Sequence, residues 1–263
     1  MWRQTGEARV KPLALCPTLP VLALCAACSD NPTVTGSDIT DLESAQTQSE
    51  AELLARSLEA GDFGELELGA KIVGPQGPEV KSKLSNGAGD FADITSYVAC
   101  PAGVEPCDPK TAPKGTVYTY VHIVYPGEDN EPESGGSEAN TSSEIELAEG
   151  FMMTAPAHGF TGQVGYPKAE ALAAIGTKAD IAVSCSAGGI VWTVNAGDGG
   201  DQWEQAEPLT FYWQSTLPPA GPKAIYEIDA NYTTARGPGP YPAAKEGVAN
   251  ACDLLDKPLP APQ

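Results

Sequence analysis

Short segments of alternating apolar and polar residues are the feature that most limits how this chain can fold. Clusters drawn from its 28 glycines and 24 prolines lie between these segments. An alternation with a period of two places successive side chains on opposite faces of a strand. The pattern predicts a mainly β fold, either an antiparallel β-sandwich or an open barrel with a few peripheral helices. The seven candidate strands are ELELGAKIV, TVYTYVHIVY, SEIELAEGFMM, DIAVSCSA, GIVWTVN, PLTFYWQST and AIYEIDANY.

Helical and turn signals occur at a few places. Ser49 and Glu52 have the spacing of a capping box, and an apolar leucine stripe then continues to a stop at Gly61. The segment KAEALAAIG predicts a second helix that ends at Gly176. Ala187-Gly188-Gly189 predicts a hairpin between two of the strands.

Four cysteines in the β-rich part of the sequence predict two disulfide bonds. Three pairings are possible, and the surroundings of each cysteine favour one of them. Cys100 and Cys107 bracket PAGVEP, a loop that can fold back on itself. Cys185 lies on an apolar strand face and Cys252 on the apolar face of a predicted C-terminal helix, so these two are expected to meet. A zinc site is the alternative, but the sequence has no CxxC pair to hold the metal.

The N-terminal residues have the character of an export signal. Three basic residues precede an apolar run from Leu13 to Ala27. That run is shorter than the roughly 20 residues that a membrane-spanning helix needs, and it ends in small residues suited to cleavage. We therefore expect residues 1–27 to be a signal peptide.

The quartet Cys25-Ala26-Ala27-Cys28 resembles the lipobox of bacterial lipoproteins, in which the final cysteine is lipidated and becomes the new N-terminus. The resemblance covers only the first thirty residues, and Cys25 stands where leucine is usual. It implies lipidation of Cys28 and a membrane anchor. Ser29, in place of aspartate, favours the outer membrane of a Gram-negative cell, facing the periplasm or the exterior. An ordinary secretory signal with an incidental cysteine is the alternative.

The acidic composition limits the partners. The formal net charge is −20, from 35 acidic and 15 basic residues. Such a surface repels nucleic acid, so no nucleic-acid partner is expected. The hydrophobic fraction of 41% is enough for a packed core. We predict a polar tether with a short helix over residues 28–64 and a β-rich extracytoplasmic domain over residues 65–263.

Two residues are the best candidates for ligand contact. His158 lies in a loop rich in glycine and proline, where it could contact a ligand or transfer a proton. Trp203 lies in a polar loop, and an exposed tryptophan suits a binding surface. His122 shares a strand face with tyrosines and is expected to pack among them, with an aromatic ligand platform as the alternative.

The loop VNAGDGGDQWEQAEP has the composition of a cation site. Asp198, Asp201 and Glu204 recur every three residues, and the glycines between them allow tight bending. Calcium prefers six to eight oxygen ligands, of which these side chains could supply several. A calcium site is therefore one hypothesis, and an ordinary solvated loop is the other.

These observations favour an envelope-anchored lipoprotein whose acidic ectodomain is a non-catalytic binding or structural module. A glycan or a protein is the expected ligand. The alternative is a secreted hydrolase, directed at polysaccharide, that uses a pair of carboxylates or His158. Motifs for nucleotide, zinc-protease or serine-hydrolase chemistry are missing from the sequence.

Overall fold

The computed structural model describes residues 57–74, 77–127, 145–178, 180–195, 202–205 and 207–255. Within these ranges a single sheet curls into a half-barrel, which confirms the predicted mainly β fold. Thirteen strands belong to the sheet: β1 Ser57–Leu58, β2 Gly61–Asp62, β3 Leu68–Lys71, β4 Val80–Asn86, β5 Gly89–Pro101, β6 Tyr118–Pro126, β7 Ala148–Met153, β8 Phe160–Tyr166, β9 Asp180–Ser186, β10 Gly189–Asn195, β11 Leu209–Ser215, β12 Pro219–Ala230 and β13 Thr233–Pro242.

Helical structure in the described ranges is limited to three short elements. These are a 3₁₀ turn at Phe63–Glu65, helix α1 at Lys168–Ile175 and helix α2 at Cys252–Leu255. The predicted helix ending at Gly176 is confirmed by α1. None of these described helices has the length and apolar character needed to cross a membrane.

The strand order joins distant parts of the sequence. It runs β1-β9-β10-β7-β12-β13-β4-β5-β6-β11-β8-β2, and β3 pairs with β5 beside this path. The described pairings are antiparallel except that of β2 with β8. Only two residues separate β1 from β2, although they pair at opposite ends of the order. Residues 57–62 therefore link the two ends of the curled sheet.

The aromatic core lies where the two halves of the curled sheet face each other. The ring of Phe151 on β7 lies 5.1 Å from that of Phe211 on β11 and 5.7 Å from that of His122 on β6, measured between centroids. Trp192 on β10 lies 5.6 Å from Phe211. All four residues are 0% exposed. The alternation of residues with a period of two places these rings on the same face of the sheet, so they pack into one core.

A second apolar contact covers the outer face of the sheet. Residues 57–72, which we call the N-terminal strap, run from β9 past β8 and β11 to β5. Phe63 of the strap lies 5.6 Å from the ring of Tyr212, which is only 2% exposed. Lys71 Nζ lies 4.2 Å above the ring of Tyr97. The strap therefore buries side chains that an open sheet would leave in water.

The sheet begins at Ser57, inside the segment 28–64 that was predicted to be a tether with a short helix. Leu58 was expected in a short helix, but it pairs with Val183 on β9. This pairing gives hydrogen-bond partners to backbone groups at the free edge of β9. The gain outweighs the weak local preference of Leu58 and its neighbours for a helix. The capping-box residues Ser49 and Glu52 lie outside the described residues.

Both predicted disulfide bonds are confirmed. Cys100 is joined to Cys107 and Cys185 to Cys252. The C-terminal helix is shorter than predicted, because α2 contains only four residues. Gly247 has a φ of +74°, a left-handed conformation that interrupts a helix.

The predicted hairpin between β9 and β10 is also confirmed. Ala187 and Gly188 both have positive φ values, 49° and 78°, as a two-residue type I′ turn requires. Gly188 O accepts hydrogen bonds from Ala157 N and Asn250 Nδ2, each at 2.8 Å. The turn thus holds both the loop before His158 and the segment leading into α2.

Candidate functional site

An open pocket of about 340 Å³ lies beside His158. We call it the His158 pocket. Three parts of the chain form it: the loop that carries His158, the start of β12, and the segment at the end of β13 and just after it. Its lining consists of His158, Ala220, Gly221, Pro222, Lys223, Tyr241, Pro242, Ala243 and Ala244. Alanine and proline therefore form most of the wall, and the polar side chains are those of His158, Lys223 and Tyr241.

Proline shapes the strand ends that form this wall. Pro219 pairs with Pro242, and Pro222 pairs with Pro240, between β12 and β13. Proline has no backbone N–H, so it is tolerated at strand ends and edges where a ladder hydrogen bond is not required. The β12–β13 register also has an irregularity between Pro219 and Gly221. This irregular end leaves room for a pocket in place of a continued ladder.

Tyr241 ties the strand end to the histidine loop. It is 5% exposed, and its hydroxyl donates a hydrogen bond of 2.6 Å to Pro156 O. Its ring centroid lies 5.5 Å from that of His158. Burial raises the pKa of Tyr241, so the hydroxyl is neutral at pH 7. Tyr241 is therefore the fixed floor of the pocket.

The backbone of His158 is held by neighbouring residues, whereas its ring is not. His158 N donates to Pro156 O at 2.9 Å, and His158 O accepts from Ser215 Oγ at 2.8 Å. Within the described residues neither ring nitrogen has a hydrogen-bond partner. The next residue, Gly159, has a φ of +71°, and a Cβ there would lie 2.7 Å from Ser215 Oγ. Only glycine therefore permits this path of the loop.

The imidazole of His158 is half-buried, and this burial lowers its pKa. The positive charge of Lys223 lowers the pKa further, whereas Asp253 acts in the opposite direction. A neutral ring has one N–H donor and one acceptor nitrogen. At pH 7 His158 can thus both donate a hydrogen bond to a ligand in the pocket and accept one from it.

Lys223 provides the positive charge of the pocket. The side chain is exposed, and its Nζ lies 5.1 Å from the centroid of the Tyr241 ring. No ion pair involves Lys223 in the part of the chain that the structure describes, whereas Lys71, Lys83 and Arg236 each pair with a carboxylate. No carboxylate is among the lining residues.

Trp203 is a core residue, and the expectation of an exposed indole is wrong. It is 1% exposed, and its ring meets that of Phe211 edge to face at 5.7 Å. Its Nε1 donates to Glu207 O at 2.7 Å, and its carbonyl accepts from Ala148 N at 2.7 Å. Burial of a large ring whose N–H has found a partner outweighs the polarity of the neighbouring residues.

The calcium hypothesis falls mostly outside the described residues. Asp198 and Asp201 are not described, and Glu204 is exposed, with its backbone N–H donating to the Glu207 carboxylate at 3.3 Å. Among the described residues, no group of three or more His, Cys, Asp or Glu side chains is arranged to hold a metal ion. The calcium site therefore stays a prediction.

His122 lies in the core, as expected from its strand face of tyrosines, and not on a surface platform. It is 0% exposed and packs 4.2 Å from the Tyr226 ring. Its Nε2 accepts a hydrogen bond from Trp213 Nε1 at 3.4 Å, and its Nδ1 lies 2.9 Å from Ser96 Oγ. Because indole N–H can only donate, the proton of the neutral ring is on Nδ1. Burial lowers the pKa of His122 from 6.5 to about 3.

One pair of carboxylates that sequence reasoning could not single out lies on the outer face of β12. Glu227 and Asp229 are two residues apart on this strand, which places their Cα atoms ~7 Å apart. Partial burial raises the pKa of Asp229, and the charge of Glu227 raises it further. Glu227 is paired with Arg236 Nη2 at 2.7 Å. Neither acid lines the His158 pocket.

A second pocket, of about 260 Å³, lies beside α1 and includes Tyr166, Lys168, Leu172 and Ile181 in its lining. The nearby carboxylate of Glu170 does not point to a ligand. It accepts hydrogen bonds from Thr210 N at 2.5 Å and from Thr210 Oγ1 at 3.2 Å. This contact fastens α1 to β11, so Glu170 has a structural role.

Comparison with protein-family models, with curated protein sequences and with solved structures gives no match for this chain. The fold and the site define a disulfide-linked, curled β-sheet protein with an open pocket that contains one cation, one imidazole and no carboxylate.

Proposed function

We propose that this chain is an envelope-anchored lipoprotein whose β-rich domain is a non-catalytic binding module, with the His158 pocket as its binding site. The lipobox-like quartet ending at Cys28 supports the anchor. Two disulfide bonds support an oxidising compartment such as the bacterial periplasm or the cell surface. The expected location is the outer membrane.

The composition of the His158 pocket is the observation that best supports the proposed binding role. The pocket is open, six of its nine lining residues are alanine, proline or glycine, and three polar side chains converge on it, as is typical of ligand sites. Acid–base hydrolysis with a carboxylate partner would need an Asp or Glu beside His158, with geometry suited to proton transfer, and the pocket lining contains neither. In the described residues no carboxylate forms an ion pair with this histidine. Binding is therefore the chemistry that suits the pocket best.

A nuclear magnetic resonance screen tests this role. The purified, oxidised protein would be titrated with a library of small glycans and metabolites while backbone amide shifts are recorded. We expect a ligand to move the resonances of residues 156–159, 220–224 and 241–244, and we expect that ligand to be recovered unchanged after long incubation. Ligands that move only resonances elsewhere, or a ligand converted to a product, would contradict the proposal.

The hydrolase alternative has one specific observation in its favour. Glu227 forms an ion pair with Arg236, whereas partial burial and the charge of Glu227 raise the pKa of Asp229. A carboxyl group with a raised pKa can act as an acid beside a second, ion-paired carboxylate. If the protein hydrolyses polysaccharide, Asp229→Asn should abolish the release of reducing ends while His158→Gln leaves it intact. Equal activity of Asp229→Asn and the parent protein would eliminate this pair.

A further inference from the structure

We propose that the ligand of the His158 pocket is a small organic carboxylate with a flat apolar body, whose charge pairs with Lys223. This inference rests on the binding role proposed above and names the class of ligand. It is derived from three properties of the pocket: its charge, its wall of alanine, proline and glycine residues, and the position of its hydrogen-bonding groups.

The charge of the pocket is opposite to that of the protein. The chain has 35 acidic and 15 basic residues, yet the pocket lining includes a lysine and no acid. Asp253, the acid that acts on His158, is not part of the lining. Because Lys223 forms no ion pair with any described residue, its ammonium group is available to an anionic ligand. Such an ammonium group can form a charge-assisted hydrogen bond with a ligand carboxylate.

The residues of the pocket wall indicate the chemical character of the ligand body, apart from its charged group. Six of the nine lining residues are alanine, proline or glycine, and the other three have polar side chains. Prolines 222 and 242 have no backbone N–H to offer to a sugar hydroxyl. The ring of Tyr241 lies at the floor with its hydroxyl already bonded to Pro156 O. A ligand with a planar apolar body gains contact with this wall, whereas a densely hydroxylated body would lose hydrogen bonds to water.

His158 adds a directional contact. Its ring lies over the same tyrosine that Lys223 approaches, with centroids 5.5 Å apart, and Lys223 Nζ is 5.1 Å from that tyrosine ring. The ammonium and the imidazole therefore flank one aromatic floor. A carboxylate placed above this floor can accept hydrogen bonds from both groups.

Benzoate and benzamide are suitable probes because they have the same size and shape and differ in charge. Each would be titrated into the purified, oxidised protein while amide resonances are followed. The variants are Lys223→Gln and, as a matched control, Lys110→Gln. Lys110 is also exposed, lacks an ion pair in the described residues and is not part of the pocket lining. Both substitutions change the net charge by the same amount.

We expect benzoate to move the resonances of the pocket residues and benzamide to move them at least about tenfold more weakly, as loss of one charge-assisted hydrogen bond implies. Lys223→Gln should weaken benzoate binding by about the same factor, and Lys110→Gln should leave it unchanged. Spectra of both variants should match the parent away from the substituted residue, which shows that they are folded.

Equal binding of benzoate and benzamide would overturn the carboxylate assignment while leaving a binding pocket intact. Benzoate binding that survives Lys223→Gln, or that moves resonances only outside the pocket, would also overturn it. If neither probe binds but a neutral library compound does, the class of ligand is wrong and the binding role stands. If no compound moves the pocket resonances, both proposals fail.

Discussion

His122 should make the stability of this protein sensitive to acid. The ring is fully buried, and its Nε2 accepts a hydrogen bond from Trp213 Nε1. Protonation of Nε2 would point its N–H at the N–H of Trp213 Nε1, so the hydrogen bond would be lost. It would also place a positive charge in the aromatic core. Burial accordingly lowers the pKa of His122 from 6.5 to about 3. The unfolded chain has no such burial, so its histidine titrates near 6.5.

The sign and size of the effect follow from these two pKa values. Between pH 6.5 and pH 3 the unfolded state binds a proton at His122 and the folded state does not, so stability falls as the pH falls. The stabilisation is complete above pH 6.5, and it decreases by ~1.4 kcal/mol per pH unit within the window. From pH 8 to pH 5 the contribution of His122 to the free energy of unfolding should fall by about 2 kcal/mol.

Urea unfolding at pH 8 and pH 5 measures this contribution. His122→Gln keeps a donor and an acceptor but cannot titrate. The variant should be less stable than the parent at pH 8, because a shorter amide replaces a packed ring. Its loss of stability between pH 8 and pH 5 should nevertheless be smaller than the parent's by about 2 kcal/mol. The other titrating groups are common to both proteins and cancel in this difference.

His158→Gln is the matched control, because the sequence has only two histidines. His158 is half-buried, so its substitution should change the pH dependence less than that of His122. If His122→Gln loses as much stability between pH 8 and pH 5 as the parent does, His122 is not held neutral in the core, and the reasoning is refuted.

Three further changes should have measurable effects. Replacing both cysteines of the Cys185–Cys252 disulfide with alanine should lower the free energy of unfolding by about 4 kcal/mol, because the bond closes a long loop; an unchanged urea midpoint would contradict this. Gly165→Ala should lower the melting temperature, since a Cβ there would collide with the backbone of Gly61 in the β2–β8 pairing; an unaltered melting temperature would argue against that pairing. If the calcium hypothesis is correct, calcium should raise the melting temperature of the parent but not of an Asp198→Ala, Asp201→Ala double variant, whereas equal responses would dismiss it.

The sequence was a good guide wherever large apolar residues alternate. The segment TVYTYVHIVY became β6, and its inward residues entered the aromatic core. Cys185 and Cys252 could be paired because each lies on an apolar face that can point only inward. These predictions depend on the local periodicity of apolar residues. They were correct because the tertiary packing buries the same faces that the periodicity indicates.

Six strands were missed: the two-residue strands β1 and β2, and the longer strands β4, β5, β8 and β13. Strand β4, VKSKLSN, is mostly polar, and β13, TTARGPGPYP, contains three prolines and two glycines. The prolines are accepted because β13 pairs with β4 only at Arg236 and Ser85, away from the prolines. Strand β8 is interrupted by glycine at two positions. Strand β5 does alternate from Ala92 to Val98, and this signal in the sequence was overlooked. Neighbouring strands, and not local preference, hold β4, β8 and β13 in the sheet.

The candidate site was predicted only in part. His158 was identified because its loop is rich in glycine and proline, and it does line a pocket. Lys223 and Tyr241 were not identified, because they reach His158 through the β12–β13 register and through the Tyr241 contact to Pro156. Trp203 was misplaced for a similar reason, since its backbone bridge to Ala148 joins residues far apart in the sequence.

The intact mass of the protein purified from the membranes of its native host tests the central proposal most directly, because envelope anchoring determines which ligands the pocket can meet. We expect a chain that begins at Cys28 and carries the added mass of acyl groups on that residue. Cys28→Ala should abolish the modification and release the protein from the membrane fraction. A native chain that begins elsewhere, or that begins at an unmodified Cys28, would contradict the lipoprotein assignment.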